Sequence, residues 1–355
     1  MPTIPHPEAR LLAQAPTGWT FWAWEMPLTL HHPWTTARDT SHTKRNLVVA
    51  IERDGLVGLG EAPPLRRYGE TPEGCWDAAK ALAETCLSIP VWGYRQFLTR
   101  REGVQDYMAA KAAVDAALVD WHGKKAGLPW HALLGLAGAP LPLSSFSIGI
   151  DTPEAVEAKV READPYPILK VKLGGEHDRE IMQRIRALTG KTIRVDANEG
   201  WKNPHDALAM IRFLEDMDVE IVEQPMPANQ IEEMRWLREK TRLPLIADES
   251  TYAVRDFTRL KGAFDGVNIK LSKAGGPQAA YERILQAKAL GLKIMIGCMI
   301  ESSLGITTAA QLGGLADYLD LDGHLLVADD PFSGMTMTAG QPVLPTGAGL
   351  GVSPR

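Results

Sequence analysis

From Pro142 onward, short apolar runs alternate with amphipathic stretches, and this rhythm leaves few folds open. Runs rich in branched aliphatic residues fall near 144–149, 168–173, 193–195, 220–222, 245–247, 266–269, 293–296 and 318–321. Each has the length of a buried parallel strand. Between them lie helix-length segments, among them 153–163, 204–217 and 277–290, each starting at a proline. Eight strands with seven intervening helices predict a closed α/β barrel, a TIM-type (β/α)7β arrangement over residues 141–328. The alternative is an open doubly wound sheet. No glycine-rich dinucleotide fingerprint supports it, and Gly297-Cys298-Met299 is not one.

The first part of the chain differs in character. Residues 19–30 read as a strand, 31–44 as a polar, turn-prone gap, and 46–53 as a second strand. Asp54-Gly55 is a hairpin signal and 56–60 returns as a third strand. Thr71-Pro72-Glu73 looks like a capped helix start, 107–123 like an alanine-dense helix and 130–134 like a short third. These features predict an α+β capping domain over residues 17–137, with the C-terminal segment from about 329 to 355 folding back onto it. The first dozen residues read as a loosely held tail.

Bulk properties exclude some classes. The chain has 355 residues and a net charge of −6, without a long run of one sign, so no basic face for nucleic acid is expected. No apolar stretch approaches a membrane span, and the N-terminus lacks a signal-peptide core. Three cysteines, Cys75, Cys86 and Cys298, cannot all pair, which points to a reducing cytoplasm. Apolar residues outside the barrel permit a homo-oligomer.

In such a barrel the chemistry sits at the C-terminal ends of the strands. Charged residues crowd there. Lys170 and Lys172 stand two apart in one strand, so both point to the same side. Asp196 then Asn198, Glu223, Asp248 then Glu249, and Lys270 follow at the ends of the next four strands, and Asp320 and Asp322 at the last. From Lys172 to Lys270 the intervals are 22 to 27 positions, near one strand-helix unit each. A single charge at a strand end is often a helix cap; five in succession at one height are not. Asp196, Glu223 and Asp248 form an all-oxygen set suited to Mg²⁺, or Mn²⁺. The absence of His or Cys argues against zinc. Lys172 and Lys270 would face each other across that ion. One could remove a proton from a carbon next to a carboxylate while the other returns one to the opposite face. Nearby cations would lower the lysine pKa values.

This pattern resembles the enolase superfamily, in its muconate-lactonizing subgroup. Gly60-Glu61-Ala62-Pro63, Ala113 to Leu118, Lys170-Val171-Lys172, Asp196-Ala197-Asn198, Glu223-Gln224-Pro225, Ala247 to Ser250 and Asn268-Ile269-Lys270 carry the likeness across most of the chain. Within it, Asp320-Leu321-Asp322-Gly323 and Gly297 to Glu301 resemble the dipeptide epimerases. The resemblance implies 1,1-proton transfer at the α-carbon of a dipeptide's C-terminal residue, with L-Ala-D/L-Glu as leading substrate. It implies that Lys172 and Lys270 are the acid/base pair and that Lys170 assists the substrate carboxylate. Asp320 and Asp322 would grip the α-ammonium, with Ser147, Cys298 and Ile300 also touching substrate. Two capping loops, about 33–43 and 63–70, would set specificity, with Arg67 facing an acidic side chain. Ser41 stands where some Ala-Glu epimerases carry an arginine, so Trp34 leaves apolar dipeptides open. N-acylamino-acid racemase, o-succinylbenzoate synthase and muconate cycloisomerase share the frame without the ammonium, and a non-catalytic dipeptide-binding protein is a further alternative.

Overall fold

The protein is described by a computed structural model covering residues 6–16, 18–35, 40–104, 107–252, 254 and 256–355. Four strands open the chain as an antiparallel meander in sequential order: β1 (Arg10–Gln14), β2 (Thr20–Thr35), β3 (Thr40–Arg53) and β4 (Leu56–Ala62). Asp54 and Gly55 both have positive φ, 53° and 76°, the backbone of a primed hairpin turn. The helix Pro72–Cys86 starts where expected, its Gly74 N–H bound to Thr71 Oγ1 at 3.0 Å. A second helix, Met108–Ala126, packs on β4 at very close range. A Cβ on Gly58 or Gly60 would meet Ala117 O or Ala113 O at 2.1 and 2.0 Å. Glycines on the strand and alanines on the helix are therefore one packing solution.

Two expectations about this part are corrected and one helix is added. The sheet begins at Arg10, ahead of the expected start at 17, because Leu12 and Ala13 bury against the same core. The polar gap is largely strand: β2 and β3 continue as a ribbon to Thr35 and Thr40, with a register irregularity between Thr29 and Trp34. Contacts with the C-terminal segment hold that ribbon. Ala328 N–H reaches Thr29 O at 2.8 Å, and Asp329 accepts from Thr29 N and Oγ1 at 2.7 Å each. A helix not foreseen, Tyr94–Arg100, lies between the two longer ones. Residues 36–39 of the expected specificity loop lie outside the described residues.

The remaining strands form the barrel: β5 (Phe146–Ile148), β6 (Ile168–Lys172), β7 (Thr192–Asp196), β8 (Val219–Glu223), β9 (Leu245–Ala247), β10 (Gly266–Lys270), β11 (Lys293–Gly297) and β12 (Tyr318–Asp320). They run parallel in sequential order, and a Ser144–Leu319 bridge joins β12 back to β5. Helices Pro153–Glu162, Pro204–Asp216 and Pro277–Ala289 agree with expectation to within a residue. One connection does not: among the described residues β9 leads to β10 through two 3-10 turns, Glu249–Thr251 and Thr258–Leu260, with no α-helix.

Buried carboxylates join the two parts through main-chain N–H groups at helix starts. Glu61, at the end of β4, accepts from Ser302 N, Ser302 Oγ and Gly305 N at 3.1, 2.6 and 3.0 Å, ahead of helix Ser303–Ala310. Asn46 adds a fourth bond at 2.7 Å. Asp115 accepts from Gln278 N at 3.1 Å in the first turn of Pro277–Ala289. Gly276 precedes that turn at φ 129°, where a Cβ would meet Asp115 Oδ2 at 2.0 Å. Asp120 takes Leu59 N at 2.9 Å and Leu350 N at 2.8 Å, which returns the C-terminal segment to the first sheet. Glu61→Ala would strip an acceptor from four donors, so a loss of roughly 3 kcal/mol is expected, read by urea unfolding. A stability unchanged within error would contradict this account of the docking.

Candidate active site

Register places the acids. Lys172 on β6 lies opposite Asp196 on β7, which lies opposite Glu223 on β8. Asp248 follows β9 and Lys270 ends β10. β6 and β10 are four strands apart in a ring of eight, so the two lysines approach from opposite sides. Lys172 Nζ is 2.6 Å from Asp196 Oδ2, and Lys270 Nζ is 3.2 Å from Asp248 Oδ2. A cavity of about 350 Å³ opens above them, between barrel and capping domain. Lys172, Lys270, Asn198, Asp248, Glu249, Ser147, Cys298, Ile300, Asp320, Asp322 and Arg67 line it. Lys170, Asp196 and Glu223 lie below, with Lys170 only 1% exposed. Ile221, Ile246, Met295 and Tyr318 pack together beneath this layer.

Lys170, expected to assist the substrate carboxylate, is buried among the protein's own acids. Its ammonium contacts Asp320 at 2.5 Å, Glu223 at 2.6 Å and Asp196 at 3.3 Å. It ties Asp196 and Glu223 from below and links these two to Asp320. Ser145 Oγ donates to the other oxygen of Asp320 at 2.8 Å. Ser147 gives its backbone N–H to Asp322 Oδ2 at 2.6 Å, and its hydroxyl also serves Asp322.

The electrostatics follow from burial and neighbours. Burial, then repulsion from Asp196, pushes the Glu223 carboxyl up to about 7. For Asp196 burial also pushes upward, but Lys172, Lys170 and Lys270 outweigh it and hold the carboxyl below its ordinary value. Asp248 is lowered in the same way by Lys270 and Lys273. Burial and the adjacent Asp320 raise Asp322 to about 6. Two lysines feel the same acids from the other side. Burial would lower Lys270, yet Asp248 and Glu223 raise it above its ordinary value, and Lys170 is raised by Asp320, Glu223 and Asp196. Lowering them requires that the charge of these acids be balanced by another cation.

The donor set fits a divalent ion in its chemistry. Three buried carboxylates on consecutive strands supply hard oxygens only. Among the described residues Glu223 Oε2 accepts no directed hydrogen bond, and the Lys170 ammonium lies 2.6 Å from it. Among the described residues no three acidic, His or Cys side chains converge as a ready cage; the acids instead pair with the ammonium groups of Lys170, Lys172 and Lys270.

Other participants were assigned no role from the sequence. Lys273 Nζ binds Asp248 Oδ1 at 2.7 Å, three residues past Lys270. Asn268 Nδ2 donates to Glu223 Oε1 at 2.8 Å, and its inward parity with Lys270 could have revealed it. Gln224, at φ 35°, accepts Asp248 N and Ser250 N at 2.8 and 3.1 Å and so sets the third carboxylate. Arg67 does not point at substrate space alone: its guanidinium pairs with Glu199.

Comparison with known proteins agrees with this geometry. Residues 153–355 match the family described as enolase C-terminal domain-like, and residues 21–135 match the mandelate racemase / muconate lactonizing enzyme N-terminal domain. The chain belongs to the enolase superfamily. This superfamily member is 40% identical over 339 residues to the L-Ala-D/L-Glu epimerase of Bacteroides thetaiotaomicron, covering 94% of the chain and 87% of that protein. It superimposes with TM-score 0.90 on the substrate-liganded L-Ala-D/L-Glu epimerase of Bacillus subtilis, at 31% identity, covering 95% of the chain and 98% of that one. With the dipeptide epimerase of Enterococcus faecalis, complexed with Mg and L-Leu-L-Tyr, the TM-score is 0.87 at 30% identity, with 95% and 99% covered.

Proposed function

We propose that the protein is a Mg²⁺-dependent dipeptide epimerase that inverts the α-carbon of the C-terminal residue, with L-Ala-D/L-Glu its leading substrate. The observation that carries the reading is the pair of lysines on opposite walls, Lys172 beside Asp196 and Lys270 beside Asp248. The names of the relatives support the substrate class. Asp196, Glu223 and Asp248 would hold the ion, with Asn198 and Glu249 supporting their loops. When bound, such a cation stabilises negative charge on the substrate carboxylate as the α-proton leaves.

The protein's own groups do the rest. One lysine, neutral, takes the α-proton from its face; the other, charged, delivers a proton from the opposite face. The pair then stands in the reverse protonation state, ready for the opposite enantiomer. Lys170 joins Asp320, Glu223 and Asp196 in one electrostatic unit. Asp320 and Asp322, near-adjacent acids at the barrel mouth, favour a cation between them and so select a free α-ammonium. Cys298 and Ile300 form the neighbouring wall. We place the enzyme in a reducing cytoplasm, which suits three free cysteines, two of them buried, and allow it a homo-oligomer. Among the described residues no helix is long and apolar enough to cross a membrane.

The reading is tested with L-Ala-L-Glu and its N-acetyl derivative in D₂O. Epimerisation of the free dipeptide with α-deuterium incorporation is expected, and the acetylated form should lose about a hundredfold in kcat/KM. Preference for the blocked form would transfer the protein to an N-acylamino-acid racemase role.

A further inference from the structure

We propose that Arg67 is a positioning residue: it docks the capping turn onto Glu199 and does not read the substrate side chain. The inference deepens the dipeptide-epimerase reading and rests on it. Arg66–Tyr68 form a single 3-10 turn, closed by Gly69 at φ 81° with its N–H on Arg66 O at 3.0 Å. From this turn the Arg67 guanidinium pairs with the Glu199 carboxylate. Glu199 is 5% exposed and lies three residues past Asp196. It and Asn198 are both left-handed, at φ 64° and 45°, a conformation that ordinary side chains adopt only when their surroundings impose it. The other oxygen, Oε1, accepts Ala228 N at 2.9 Å from the loop after β8. One carboxylate on the loop after β7 thus binds both the capping turn and the loop after β8.

The next residue makes a second attachment. Tyr68 stacks on Tyr252, past the end of β9, with centroids 3.5 Å apart and planes 2° apart. Lys273, bound to Asp248, lies 5.8 Å from the Tyr68 ring centroid. The turn therefore spans from the loop after Asp196 to the loop carrying Asp248. A substrate carboxylate approaching Arg67 would have to sit beside a buried protein carboxylate already paired with that guanidinium, which like-charge repulsion opposes. Arg67 serves acidic and apolar dipeptides alike in this arrangement.

The test measures kcat and KM for L-Ala-L-Glu and L-Ala-L-Leu in wild type, Arg67→Gln, Glu199→Gln and the swapped Arg67→Glu/Glu199→Arg protein. Both single variants should raise KM about tenfold for the two dipeptides equally, with kcat changed less. The swap should recover part of the loss for both. Loss confined to L-Ala-L-Glu in Arg67→Gln, or a lower KM for it in Glu199→Gln, overturns the proposal. Amide exchange at residues 66–69 should quicken in both single variants; unchanged exchange overturns it as well. Should wild type turn over neither dipeptide, the functional reading fails, while the exchange experiment still decides the role of Arg67.

Discussion

Lys172→Ala and Lys270→Ala should each reduce inversion by about a thousandfold, the scale of a lost general acid–base group. The two side chains reach the site from β6 and β10 and rest against opposite ends of the acid row. Neither can cover the other's face of a bound α-carbon. Each variant should still exchange the α-proton of one enantiomer with D₂O through the remaining lysine, without forming the other enantiomer. NMR of the dipeptide α-position follows both events. Normal epimerisation by either variant would exclude a two-base reaction.

Removal of divalent ions should abolish turnover, and Mg²⁺ or Mn²⁺ should restore it. The same addition should stabilise the fold, because an ion that binds only the native state adds about 2.7 kcal/mol at a hundredfold excess over its Kd. Glu223→Gln should cancel both effects. Its carboxylate stands between Asp196 and Asp248 on consecutive strands, and Asn268 already occupies its other oxygen. Turnover that survives a chelator, or a melting temperature blind to Mg²⁺, would dissociate the acid row from any cation.

Much of this was legible in the sequence because the barrel repeats one unit. Apolar strand, polar end and helix recur at a nearly constant interval, so Asp196, Glu223 and Asp248 announce themselves by height. The helix starts at Pro153, Pro204 and Pro277 are equally local in origin. What escaped depends on contacts between distant segments. The strand Arg10–Gln14 exists because β2 offers an edge. The ribbon through Pro33 persists because the segment at Val327–Asp329 braces it. The place of Lys170 under the acids, and of Arg67 on Glu199, follows from side-chain reach across the barrel mouth, which periodicity does not encode. The raised Lys270 has the same origin: spacing reveals which charges meet but not which sign prevails.

Glu61 and Asp115 grasp helix N-termini by peptide groups that every residue except proline possesses. Such a joint tolerates drift in the side chains around it. Substitutions in the capping loops therefore leave these main-chain contacts in place.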